Sequence, residues 1–251
     1  NCTTRARDML LKYTDSVQFK DIRPNPNSTY RQLIHSYMNN SSQAWNRFAI
    51  DVLLGNHLDE TMTNRQAMFL PDYLMMGMDS AATRHQPLVT ERMLLLPDEQ
   101  PAAGSFFTPV TLFIFLLLLM IIASLLQQKA GQQLATLLDR LFFLCTGLLG
   151  CLMLALWIFR VDTVCRNNFN LLWALPSHAV IAFFITRKAR WVKNYWLFTA
   201  VLTLLLLLAW NWLPQEMNNS ILLILVIVLF RSIYRYQQIR LYDRQQHRIP
   251  T

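Results

Sequence analysis

Cys2 has the greatest chemical reach in this chain. It stands in Asn1-Cys2-Thr3-Thr4-Arg5-Ala6-Arg7-Asp8, at the mouth of an expected helix. Unpaired backbone amides and the helix dipole stabilise a thiolate at such a position. Arg5, one turn along, adds positive potential, and Asn1 or Thr3 can cap the helix. A thiolate so placed can attack an ester or amide carbonyl and hold the acyl group as a thioester. The competing reading is a buried structural cysteine. A nucleophilic thiol also needs a base. His35, His57 and His85 each stand alone in polar or helical surroundings, with no orienting partner in a recognisable strand. His178 lies in an apolar run, where an ionisable side chain is either a functional group or a neutral imidazole bonded to a neighbouring helix. Pro176 can loosen that run. Asn167, Asn168 and Asn170 precede it, as lipid-headgroup contacts or as caps.

The remaining cysteines suggest little chemistry. Cys145 and Cys151 fall in an apolar run and read as packing residues. Cys165 could bridge Cys2 on an oxidising side of a membrane. The spacing of the four carries no metal signature, and no metal or cofactor is expected.

The elements around Cys2 read as helices. Apolar residues recur at helical spacing over 3–13, 29–38 and 43–54, the last stopping at Gly55 as a C′ residue. Thr63 and Gln66 fit a capping box, and the helix they open is interrupted at Pro71 and resumes over 72–82. Residues 88–89 and 93–96 suggest a small hairpin, and 98–105 a linker.

Beyond residue 105 the composition changes. The whole chain is 53% hydrophobic and 15% charged, too apolar for an ordinary soluble domain. Residues 1–105 hold 10 Lys/Arg against 11 Asp/Glu, a net −1, while 106–251 hold 13 against 4, a net +9. The basic half is the apolar one, so its charge flanks membrane segments, and nucleic-acid binding is not expected. The fold expected is mainly α: a helical domain over 1–105, then about five spans near 106–126, 141–159, 169–186, 195–213 and 217–234, then a basic tail over 235–251.

Orientation follows from the loops. With residues 1–105 outside, Lys129, Arg140, Arg187, Lys188, Arg190, Lys193 and the tail arginines (231, 235, 240, 244 and 248) lie inside, against Arg160 and Arg166 outside. Trp157, Trp173, Trp210 and Trp212 fall near the outer interface, and Trp191, Tyr195 and Trp196 near the inner one. The tail arginines read as contacts to anionic membrane lipids. An outward domain needs a leader, and neither a leader nor an initiator Met precedes Asn1, so an upstream portion is expected to be missing from this sequence.

Several segments recur in a known order: 1–8, Tyr30-Arg31-Gln32-Leu33-Ile34-His35, Ile50-Asp51-Val52-Leu53-Leu54-Gly55, Met68-Phe69-Leu70-Pro71-Asp72-Tyr73-Leu74-Met75, and Asn168-Phe169-Asn170-Leu171-Leu172-Trp173-Ala174-Leu175-Pro176. The series resembles the Lnb-type lipoprotein N-acyltransferases of Bacteroidota. That resemblance implies a periplasmic domain with a permuted papain-like (NlpC-type) fold, on an inner-membrane protein whose C-terminal tail is cytoplasmic. It implies that Cys2 is the acyl-accepting nucleophile and that the base-bearing strand lies upstream of Asn1, which would leave this stretch inactive alone. The implied partners are a phospholipid acyl donor and a diacylglyceryl-cysteine lipoprotein acceptor, with Asn168, Asn170 and His178 at the lipid-facing floor. A papain-like peptidase or amidase, and a membrane scaffold with a structural Cys2, are the alternatives.

Overall fold

The computed structural model describes residues 2–14, 17–38, 41–83, 86–93, 104–126 and 128–246. The α-helices among them are α1 (Cys2–Lys12), α2 (Tyr30–Ser36), α3 (Ala44–Leu53), α4 (Asn64–Ala67), α5 (Pro71–Ser80), α6 (Pro109–Leu125), α7 (Lys129–Phe159), α8 (Ser177–Ile181), α9 (Arg190–Leu208) and α10 (Ser220–Gln246). They belong to two compact units, one formed by Asn1–Asn40 with Leu58–Ala103, the other by Ser41–His57 with Gly104–Thr251. Residues 41–57 thus fold with the apolar segments that follow residue 104, across the composition break near residue 105.

In the first unit the helix starts follow local capping chemistry. Thr29 accepts from the Gln32 amide while Gln32 reaches back to Thr29, and Thr63 and Gln66 repeat the exchange at α4. Pro71, whose missing N–H costs nothing in a first turn, opens α5. Leu33, Met62, Ala67 and Tyr73 form the core, with the Tyr30 and Phe69 rings packed edge to face at 5.3 Å. The Arg31 guanidinium is fully buried and reaches Asp59 through two bonds of 2.8 and 3.1 Å. No hairpin forms over the described part of the expected one. Residues 86–93 carry only an isolated bridge between Ala82 and Pro87, and residues 94–96 lie outside the described residues.

In the second unit two helices are longer than hydropathy alone implies. α7 begins at Lys129 rather than 141, because its buried stripe of Gly131, Ala135, Asp139, Phe142, Phe143, Thr146, Gly147, Gly150 and Met153 keeps the helical period straight through the charges. Its 31 residues reach about 46 Å, well beyond a bilayer core of about 30 Å. α10 likewise runs on to Gln246, so the expected tail from 235 is helix as far as that residue. α6 starts on a Thr108–Thr111 capping box with Pro109 at its first position.

The expected span over 169–186 is not one helix. A 3-10 turn, Phe169–Leu172, leads through Pro176 into the short α8, and tight turns follow. Pro176 supplies no backbone N–H, and the chain continues through i+3 bonds such as His178 N–H to Leu175 O at 2.9 Å. α7 holds this broken segment closely. A Cβ on Gly147 would lie 2.0 Å from the Ala179 nitrogen, and one on Gly150 1.9 Å from the Ala174 oxygen. Small residues here let two backbones touch, as is common between membrane helices.

Candidate functional site

Cys2 is the first described residue of α1, and its side chain is an exposed free thiol. α1 buries none of its residues, and Met9, Leu10 and Tyr13 present their apolar stripe to the outside. The helix is held instead by charge. Arg7 Nη1 donates to the Arg65 carbonyl at 2.7 Å, and Arg65 Nη2 meets the Asp8 carboxylate at 3.1 Å. Hydrogen bonds from Arg7 and then Arg65 hold the Asp8 carboxyl below the usual carboxylate range. Arg5 is exposed one turn beyond Cys2.

Asn1 and His85 lie outside the described residues. His35 is buried within α2. Among the described residues no hydrogen bond joins Cys2 to a histidine. All four cysteines are free thiols, so Cys2 and Cys165 are not bridged; Cys165 is buried and accepts from Arg160 Nη1 at 3.7 Å. Cys145 and Cys151 lie on the outer surface of α7, within a helix apolar enough to cross a bilayer.

The structure brings Asn168 and Asn170 together, turned into the protein rather than toward lipid. Both are buried. Asn168 Nδ2 donates to the Val52 carbonyl at 2.7 Å, Asn170 Nδ2 to the Asp51 carbonyl at 2.9 Å, and Gln215 Nε2 to the Leu54 carbonyl at 3.1 Å. The last carbonyls of a helix have no partner within it, and three side-chain amides here satisfy those at the end of α3. Asn170 Oδ1 accepts from the Trp173 indole at 2.9 Å, and Asn218 donates to the Asp51 carboxylate at 2.9 Å. The loop that delivers these groups turns at Asn167, whose φ of 51° is left-handed. Gly55 serves this junction too. It does not adopt the left-handed C′ conformation expected of it; a Cβ there would lie 1.8 Å from the Arg166 carbonyl oxygen, and its N–H donates to Val164 at 2.9 Å.

His178 stands apart from that network. It is fully buried, neither ring nitrogen has a hydrogen-bond partner among the described residues, and its ring packs edge to face on Phe143 at 5.1 Å. Two tryptophans expected at the interfaces, Trp173 and Trp196, are core residues, while Trp191 and Trp212 remain exposed.

One cluster escaped the sequence reading. Asp139 is buried between Arg231 and Arg235, which were expected to reach out to lipid. Arg231 donates to it through Nε at 2.5 Å and Nη2 at 2.7 Å, and Arg235 through Nε at 2.6 Å. Arg231 also donates to Ser124 on α6. Two guanidiniums thus share one carboxylate and tie α6, α7 and α10. The available signal was the spacing: Arg231 and Arg235 continue the buried stripe Ile224, Val228 by steps of 3–4 residues.

Three helices, α7, α9 and α10, are long and apolar enough to cross a bilayer, with shorter apolar helices at Pro109–Leu125 and Phe169–Ile181. Together they define a helical multi-span membrane protein. Residues 101–242, more than half of the chain, match the Lnb transmembrane domain, and the chain belongs to that family. No curated protein and no solved structure matches it.

Proposed function

We propose that this chain carries the nucleophile and the membrane domain of a lipoprotein N-acyltransferase. The observation that carries the reading is an exposed, free cysteine opening α1 on the same chain as an Lnb transmembrane domain. In the first half-reaction the Cys2 thiolate attacks an ester carbonyl of a phospholipid. The acyl C–O bond breaks, a lysophospholipid leaves with the proton, and a thioester forms. In the second, the free α-amino group of a diacylglyceryl-cysteine lipoprotein attacks that carbonyl. An amide forms, the C–S bond breaks and the thiol is restored.

Donor and acceptor are both anchored in one leaflet, so a thiol tethered to that membrane meets each at high effective concentration. By the resemblance, a base carried on a separate strand takes the thiol proton. The excess of Lys and Arg on the segments between spans favours the first unit on the periplasmic side of the inner membrane. Within this reading Asn168 and Asn170 are positioning residues that fix the end of α3.

The test is replacement of Cys2 by Ser in the protein as the cell makes it, followed by mass spectrometry of lipoprotein N-terminal peptides. Lipoproteins left diacylated with a free amine are expected. Unchanged triacylation contradicts the proposal, and release of cell-wall peptides by the unaltered protein without any lipid adduct favours a thiol peptidase instead.

A further inference from the structure

The shared Asp139 leaves the bundle with an excess positive charge, and that charge borders an open cleft. The cleft, about 590 Å³, has Arg235, Lys188, Thr136, Gln132, Gln238 and Tyr242 in its walls. A second cleft of about 490 Å³ shares Gln132, Thr136 and Thr186 with it and adds Lys129 and Arg140. Among the described residues no carboxylate lines either one.

The nearby acids are already engaged. Asp139 is bonded to both arginines, and Asp243 accepts from Lys193 at 2.5 Å. The Lys188 ammonium lies 3.7 Å from the centre of the Tyr242 ring and, among the described residues, has no carboxylate partner. Arg235 donates to Asp139, to Gln238 at 2.9 Å and to Thr136 at 3.2 Å, so part of its five-donor fork remains available. A buried cation that exceeds its counter-charge is costly in a membrane, and a bound anion offsets that cost.

We propose that this cleft binds the phosphate of an anionic phospholipid headgroup, in the leaflet at the basic end of the bundle. Two observations favour a lipid over free phosphate. Exposed Leu137 and Leu241 line the same clefts and offer a surface for acyl chains. Counting from Ser220, a bilayer core of about 20 helical residues ends near residue 240, which puts the wall from Tyr234 to Gln245 at headgroup depth. The site is separate from Cys2 and stands or falls independently of acyl transfer.

The experiment is native mass spectrometry of the full chain in detergent, titrated with phosphatidylglycerol, with phosphatidylcholine, and with inorganic phosphate as competitor. Phosphatidylglycerol should bind at least about tenfold more tightly than phosphatidylcholine, and Lys188→Gln should weaken it about fivefold. Arg244→Gln removes an equal charge from an exposed position of α10 outside the cleft, and should leave affinity within about twofold. Thermal unfolding checks that both variants remain folded. Equal binding of the two lipids overturns the proposal, as does a loss in Arg244→Gln matching that in Lys188→Gln. Displacement of phosphatidylglycerol by inorganic phosphate at equal concentration overturns the lipid assignment.

Discussion

Each unit of this protein buries arginine, and the two do so on different terms. In the first, Arg31 has in Asp59 a carboxylate that keeps 12% of its side-chain surface in solvent. In the second, Arg231 and Arg235 share Asp139, whose side chain is fully enclosed. Water can resolvate Asp59 if its partner is lost. It cannot do the same for Arg231, whose guanidinium is fully enclosed inside a bundle that faces lipid. The first pair therefore fixes a loop on a small helical core, whereas the second makes the packing of α6, α7 and α10 depend on a single carboxylate.

The largest effect should come from Asp139→Leu, which leaves two uncompensated buried charges. A loss of about 3–5 kcal/mol is expected, read as failure to recover folded protein in detergent. Adding Arg231→Leu and Arg235→Met should recover most of it, since apolar replacement of a whole buried ion cluster is often neutral or better.

Arg31→Met should cost less, about 2–3 kcal/mol, measured by thermal unfolding. Equal losses in Arg31→Met and Asp139→Leu would break the comparison. Gly150→Ala comes next, at about 1–3 kcal/mol, because its Cβ would meet a backbone oxygen at 1.9 Å that cannot move aside as a side chain would.

The smallest effect is electrostatic and lies in the first unit. Arg23, bonded to Asp21 at 2.7 Å, holds that carboxyl down to about 2 from 3.8. A depressed folded value means that the contribution is present above the unfolded pKa and is lost as the pH falls through the folded one. Wild type should therefore lose slightly more stability than Asp21→Asn between about pH 4 and 2, and little should separate them above that range. Thermal unfolding across the interval measures it.

The sequence carried the local chemistry of the fold well. The Thr63–Gln66 capping box, the Pro71 interruption and the mainly helical membrane architecture follow from turn and helix rules that act within a few residues. It carried long-range pairing poorly. Hydropathy opened the second span only at 141, because a charge reads as a membrane boundary, yet Asp139 just ahead of it answers Arg231 and Arg235 across 92 and 96 residues. Asn168 and Asn170 looked like surface groups for the same reason, since their partners, the carbonyls of α3, lie more than a hundred residues away. Gly55 does stand just past the end of α3 as expected, but its close approach to the Arg166 backbone is a long-range contact that no local rule shows. At the candidate site the position of Cys2 at the opening of α1 was legible, because helix periodicity is local.

The most direct test of the account is therefore on Cys2 itself. The protein as the cell makes it, incubated with isotope-labelled phospholipid and no lipoprotein, should gain the mass of one acyl chain on the peptide carrying Cys2. Neutral hydroxylamine should release that mass, and a diacylated lipopeptide should take it up as an amide. A labelled phospholipid pool consumed with Cys2 still a free thiol, or an adduct that survives hydroxylamine, would contradict the thioester at the centre of the account.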